Sequence, residues 1–171
     1  MVQLEKQDFN KNKKLYTSVE NMLKTHLPTN TTISHVGSTA IPNMCGKNII
    51  DVLVGVEDVA AFSSVSTILS NLGFYPSTHS KTDVYQFFAS SLEETKSGDT
   101  HIHLVIASTD RYNEFIILRD YLLSHPDEAL AYSNHKQHLL ETIGGNRTTY
   151  RNEKSTFVTS LIAKAKDSIK H

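Results

Sequence analysis

Asp51 interrupts Lys47-Asn48-Ile49-Ile50-Asp51-Val52-Leu53-Val54, an otherwise apolar stretch of a 171-residue chain. An ionised carboxylate in such surroundings is costly unless a cation, a metal ion or amide donors meet it, or unless it lies at the open end of a sheet. Asp51 is therefore the first candidate for chemistry; the alternative is a structural carboxylate that holds Lys47 or the Gly37-Ser38 amides. His101 and His103 come next. They are two apart, so in a strand they share a face, and this spacing lets two imidazoles converge on a metal or a phosphate. Two imidazoles do not complete a zinc site; a third ligand, Asp51, His35 or His79, has to be brought near by the fold. With 9 histidines in the chain, some pairs arise by chance, and spacing alone favours the reading without a metal.

The third feature is the run His35-Val36-Gly37-Ser38-Thr39-Ala40-Ile41-Pro42-Asn43-Met44-Cys45-Gly46-Lys47. Gly37 permits a positive φ or a close backbone approach, Ser38 offers a hydroxyl beside main-chain amides, and Lys47 supplies a cation, a set able to hold phosphate oxygens. The same residues suit a tight strand-to-helix turn with Ser38 or Thr39 as its cap. Arg119 interrupts an apolar helical stripe and can aim its fork of donors at the sheet and a phosphate. Tyr132 with Lys136, and Tyr150 with Lys154, are four apart and share a helix face. Both pairs read as solvated lysines whose stems lie along tyrosine rings.

The elements that must position these residues follow from periodicity. Tyr16, Val19, Met22, Leu23 and Leu27 predict an amphipathic helix ending near Pro28. Thr31 to Val36 and Asn48 to Val56 read as strands, the second with Ile50, Val52, Val54 and Val56 on one face and Asp51 on the other. Asp58 caps a second helix carrying Val59, Phe62, Val65, Leu69 and Leu72, and Gly73 suits the left-handed residue after its end. Val84 to Ala89 and His101 to Ala107 read as strands closed into an antiparallel pair through Gly98-Asp99, with Ile102, Leu104 and Ile106 turned away from the two histidines. From Asp110 onward the period is helical, and His125-Pro126 and Gly144-Gly145 divide three helices. The expectation is one α+β domain: a mixed α/β sheet core over residues 1–108 and a helical C-terminal part over 109–171.

Composition narrows the partners. The chain is 39% hydrophobic and 20% charged, which excludes low-complexity and wholly disordered readings. A formal charge of -1 gives no global pull onto nucleic acid or an anionic membrane, so any anion site must be local. The longest strongly apolar stretch, Ile49 to Val56, falls far short of the roughly 20 residues that span a bilayer. The first residues lack an apolar signal core and Cys45 is the only cysteine, so the expected location is the cytoplasm, without an intrachain disulfide.

His35 to Pro42 followed by Lys47 to Val54 closely resembles the signature of the GrpB family. Phe87-Phe88, His101-Ile102-His103-Leu104-Val105, Leu118-Arg119-Asp120-Tyr121-Leu122, His125-Pro126, Tyr132 with Lys136, and Tyr150 with Lys154 and Phe157 resemble its later blocks in the same order. The resemblance runs from about Asp8 to Ala165. It implies a nucleotidyltransferase-like fold, similar to the polymerase-beta-like superfamily, whose pattern is a Gly-Ser turn followed by an acidic-x-acidic strand. Gly37-Ser38 and Asp51 match that pattern, and Leu53 takes the place of the second carboxylate. The implied activity is transfer of a nucleotidyl group from a nucleoside triphosphate to an unidentified small acceptor. Asp51, His101 and His103 would be catalytic; His35, Gly37, Ser38, Lys47 and Arg119 would bind the ligand and its phosphates; Asp51 with His103 would hold Mg or Mn. With Leu53 in place of a carboxylate, two other readings stand beside it: a nucleotide- or phosphate-binding module without turnover, and a metal-binding protein built on His101 and His103.

Overall fold

The computed structural model describes residues 4–91, 98–143 and 146–169. The side chains of His79 and Arg147 and the Gly144-Gly145 break lie outside the described residues. In chain order the elements are β1 (Glu5–Lys6), α1 (Phe9–His26), β2 (Thr32–Val36), a 3-10 turn (Ser38–Ala40), β3 (Cys45–Gly46), β4 (Ile50–Val56) and α2 (Val59–Asn71). There follow β5 (Tyr75–Lys81), β6 (Tyr85–Ala89), β7 (Thr100–Ile106), α3 (Asp110–Ser124), α4 (Pro126–Ile143) and α5 (Arg147–Ile169).

The alternation in β4 sets the architecture. Ile50, Val52, Val54 and Val56 join Ile102, Leu104 and Ile106 of β7 in the main core, under Leu23 and Leu27 at the end of α1 and Phe62, Val65 and Leu69 of α2. The five-stranded sheet runs β2-β4-β7-β6-β5, with β4 and β7 parallel and the other pairs antiparallel. The parallel pair requires a crossover, and α2 lies within it, capped by Asp58 accepting from the Ala61 amide at 2.8 Å and followed by Gly73 at φ 89°. The opposite face carries Val36, Leu53 and Val105, covered by Tyr112, Phe115 and Ile116 of α3. Ile41 and Met44 then pack with Leu122, Ala129, Tyr132 and Leu161, which ties the loop after β2 to the three C-terminal helices.

The fold is thus α+β with a mixed sheet and five helices, in the expected element order. Among the described residues, sequence periodicity missed β1, β3 and the edge strand β5. β5 is polar and contains Pro76, which a sheet tolerates at its edge but which removes the strand signal. No described helix is long and apolar enough to cross a membrane.

Candidate functional site

The parallel register places Asp51 opposite His101 and Leu53 opposite His103. These four side chains share the sheet face turned away from the main core. Asp51 Oδ1 accepts from His101 Nδ1 at 3.2 Å and from His103 Nε2 at 3.3 Å. Burial opposes ionisation of Asp51, but hydrogen bonds from both imidazoles and their charge outweigh it and hold the carboxyl well below the usual carboxylate range. An ionised carboxylate only accepts, so the proton of His101 sits on Nδ1 and that of His103 on Nε2. His103 Nδ1 is in turn 3.0 Å from the Tyr85 hydroxyl, which engages both of its ring nitrogens. The Phe87 ring stands edge-on to both imidazoles at 4.8 and 5.5 Å and fixes the pair laterally.

Gly37 has φ 71° and ψ -171°, a conformation open essentially only to glycine. A Cβ there would lie 2.3 Å from Asp51 Oδ2, so the turn presses against the carboxylate as no other residue would allow. The two imidazoles thus bond Asp51 on one side and the glycine turn lies against it on the other. Lys47 is exposed at the rim of the cleft that the turn opens into. Arg119 reaches from α3 to the carbonyl of His35 at 3.4 Å while its Nε and Nη2 hold Asp120 at 2.8 and 2.7 Å.

His35 corrects the expectation. It pairs with Val52, whose side chain points into the main core, so its imidazole lies on the sheet face opposite Asp51. There it stacks on Tyr16 with ring centres 4.5 Å apart and bonds the Thr39 hydroxyl at 2.9 Å. Burial, with Arg119 nearby, pushes it down to about 4 although Asp51 pulls the other way. It is a neutral brace behind the turn and is absent from the cleft lining.

Lys136, paired with Tyr132, corrects it further. Lys136 is 3% exposed, donates from Nζ to the Cys45 carbonyl, and lies 4.8 Å from the Tyr132 ring centre. The ammonium itself, buried, faces the ring, so it is not solvated. Ser133 accepts from the Cys45 amide at 2.9 Å, so α4 clamps the loop before β4 from one helix face.

These elements enclose a cleft of about 460 Å³ between the sheet end and α3–α5. Lys47, Arg111, Arg119, Lys136, Arg151 and Lys154 line it, against the carboxylates Asp51 and Glu114. Asp51 is met by the imidazoles and Glu114 pairs with Lys166 at 3.0 Å. A chain of net charge -1 thus concentrates cations in one concave site, which is suited to a polyanion.

The donor set admits a cation only in part. Among the described residues no three His, Cys, Asp or Glu side chains form a metal group. His103, with both nitrogens engaged, has none left for a metal as it is seated. Asp51 suits one hard cation, of the kind held by one or two carboxylates together with substrate phosphates. Leu53, fully buried, offers nothing for a second.

The family model described as GrpB protein matches residues 2–164. The chain belongs to the GrpB family. It is 36% identical over 134 residues to the glutamate-rich protein GrpB of Alkalihalophilus pseudofirmus, covering 76% of each chain. It is 29% identical over 151 residues to a UPF0157 protein of Vibrio cholerae, covering 88% of this chain and 76% of that one. The crystal structure of conserved protein GrpB from Enterococcus faecalis superposes with a TM-score of 0.84 at 19% identity, over 99% of this chain and 100% of that one, so the GrpB fold is shared along the whole length. Structures of a poly(U) polymerase also match, at a TM-score of 0.48 and 12% identity over 70% of this chain and 39% of theirs, a likeness too slight to argue from.

In this GrpB chain Asp51, His101, His103, Gly37, Ser38, Lys47 and Arg119 line one cleft. Sequence reasoning did not single out Tyr85 and Arg111. Arg111 lies 4.6 Å over the Tyr85 ring and 5.6 Å from the Phe115 ring centre; the β6–β7 register brings Tyr85 beside His103, and the packing of α3 on that sheet face brings Arg111.

Proposed function

We propose that this protein binds a nucleoside triphosphate in the cleft and transfers its nucleotidyl group to a small acceptor. The observation that supports this best is the Gly37-Ser38 turn pressed against an ionised Asp51 at the mouth of a cation-lined cleft. The phosphate chain lies along the turn, where Ser38 donates its hydroxyl and Lys47, Arg111 and Arg119 supply charge. Asp51 would hold one Mg or Mn ion together with ligand phosphates, and that ion would neutralise and orient them. His101 keeps its Nδ1 proton on Asp51 and presents Nε2 as a proton acceptor. An acceptor hydroxyl gives its proton to Nε2 as its oxygen bonds to the α-phosphorus, and the bond to pyrophosphate breaks.

Leu53 favours a second reading, nucleotide binding without turnover, because two-ion phosphoryl transfer needs a second carboxylate. A thermal-shift panel of nucleoside triphosphates, with and without Mg or Mn, on wild type and Asp51→Ala tests both. Ligand at about 100 times its dissociation constant stabilises by roughly 2.7 kcal/mol. A metal-dependent shift lost in the variant, with pyrophosphate released when acceptors are added, is expected. A shift without release selects the second reading, and no shift with any nucleotide overturns both.

A further inference from the structure

The wall of the cleft built by α4 and α5 has no role in the phosphate contacts above. Lys136 lines the cleft at 3% exposure, and among the described residues no carboxylate pairs with it. An ammonium has three donors, and the Cys45 carbonyl and the Tyr132 ring face occupy them incompletely. Lys154 faces the same space, and its charge opposes that of Lys136. Burial pushes the Lys136 ammonium down to about 8, with Lys154 acting in the same direction. Asp51, whose charge reaches Lys136, is already engaged by two imidazoles. Two buried or half-buried cations left in this state are poised for a dianion. Leu122 and Val158 line the cleft beside them and give that dianion an apolar neighbour.

We infer that Lys136 and Lys154 form a second anion subsite, distinct from the Gly37-Ser38 turn, and that the acceptor is a phosphorylated small molecule whose body rests on Leu122 and Val158. This rests on the transfer reading above, in which one phosphate-bearing reactant already occupies the turn. Lysine holds phosphate as a point charge, so the subsite fixes the acceptor's phosphate while leaving its hydroxyl free to approach His101.

Calorimetric titration of inorganic phosphate into the full chain, alone and then saturated with the stabilising nucleotide and Mg, tests it. The expected result is phosphate binding that persists when the nucleotide occupies the turn, and that in this state is weakened about tenfold or more in Lys136→Met and in Lys154→Ala. Should Lys136→Met fail to fold, Lys154→Ala carries the test from the half-buried face of α5. Complete displacement of phosphate by the nucleotide, no phosphate binding, or undiminished binding to the nucleotide-saturated chain in Lys154→Ala overturns the subsite. Phosphate binding without any nucleotide binding removes the transfer reading and keeps the anion subsite; nucleotide binding without phosphate binding removes the subsite alone.

Discussion

Leu53 and His103 stand opposite each other in the parallel β4–β7 ladder, the leucine sealed between Val36 and Val105, the imidazole leaning out to Asp51. Where a two-ion site would place its second carboxylate, the fold has a filled apolar slot under Phe115 and Tyr112.

Leu53→Asp is therefore expected to destabilise the protein by about 3 kcal/mol or more, since an unpaired carboxylate would be buried there. It would not create a cation site. Urea unfolding measures the first expectation and calorimetry with Mn the second; a stable variant that gains Mn affinity would contradict both.

Asp51→Asn keeps an Oδ1 acceptor for both imidazoles but loses the charge that they stabilise, so the fold should be retained at a cost of about 2 kcal/mol or more. Turnover, measured as pyrophosphate release, should fall about 100-fold or more, because the proton of His101 is no longer fixed on Nδ1.

Gly37→Ala places a methyl group against Asp51 Oδ2 in a backbone conformation that alanine resists. A loss of roughly 2 kcal/mol is expected. It should come with displaced His101 and His103 ring signals in NMR spectra, whereas Gly73→Ala, whose Cβ would meet nothing within 4 Å, should leave those signals in place despite its positive φ.

His35 titrates near 4 in the folded chain against 6.5 in the unfolded one. Between these values the unfolded state binds the extra proton, so stability rises with pH from about 4 to 6.5 and is level above; it is lost on acidification. The contribution is on the order of 3 kcal/mol. Unfolding free energies across pH 4 to 7 should show this slope in wild type and a shallower one in His35→Gln.

Ser133→Ala removes the acceptor of the Cys45 amide and leaves a buried donor unpaired. A cost of about 1–2 kcal/mol in chemical denaturation is expected.

The chemistry of β4 and β7 is legible in part: alternation puts Asp51 and Leu53 on one face of β4 and His101 and His103 on one face of β7, but only the parallel register sets the two pairs side by side. The side to which His35 points depends on its pairing with Val52, and no local pattern encodes that register. The burial of Lys136 is not legible, because helical spacing shows that two residues are neighbours but not whether another element covers them; the loop at Cys45 does so here. Strand β5 was hidden by Pro76 and by a polar composition that an edge position permits.

The clamp between α4 and the loop before β4 joins Cys45 to residues 88 and 91 positions later. Closing contacts over such separations costs chain entropy that shorter contacts do not, and such contacts form slowly. During synthesis the sheet has all its strands once β7 has emerged, but the loop that frames the cleft, held until then by β1 at Cys45–Gly46, gains its Ser133 and Lys136 contacts only when α4 follows. The pocket is thus completed only when the last helices dock, and its maturation should trail that of the sheet in any time-resolved refolding experiment.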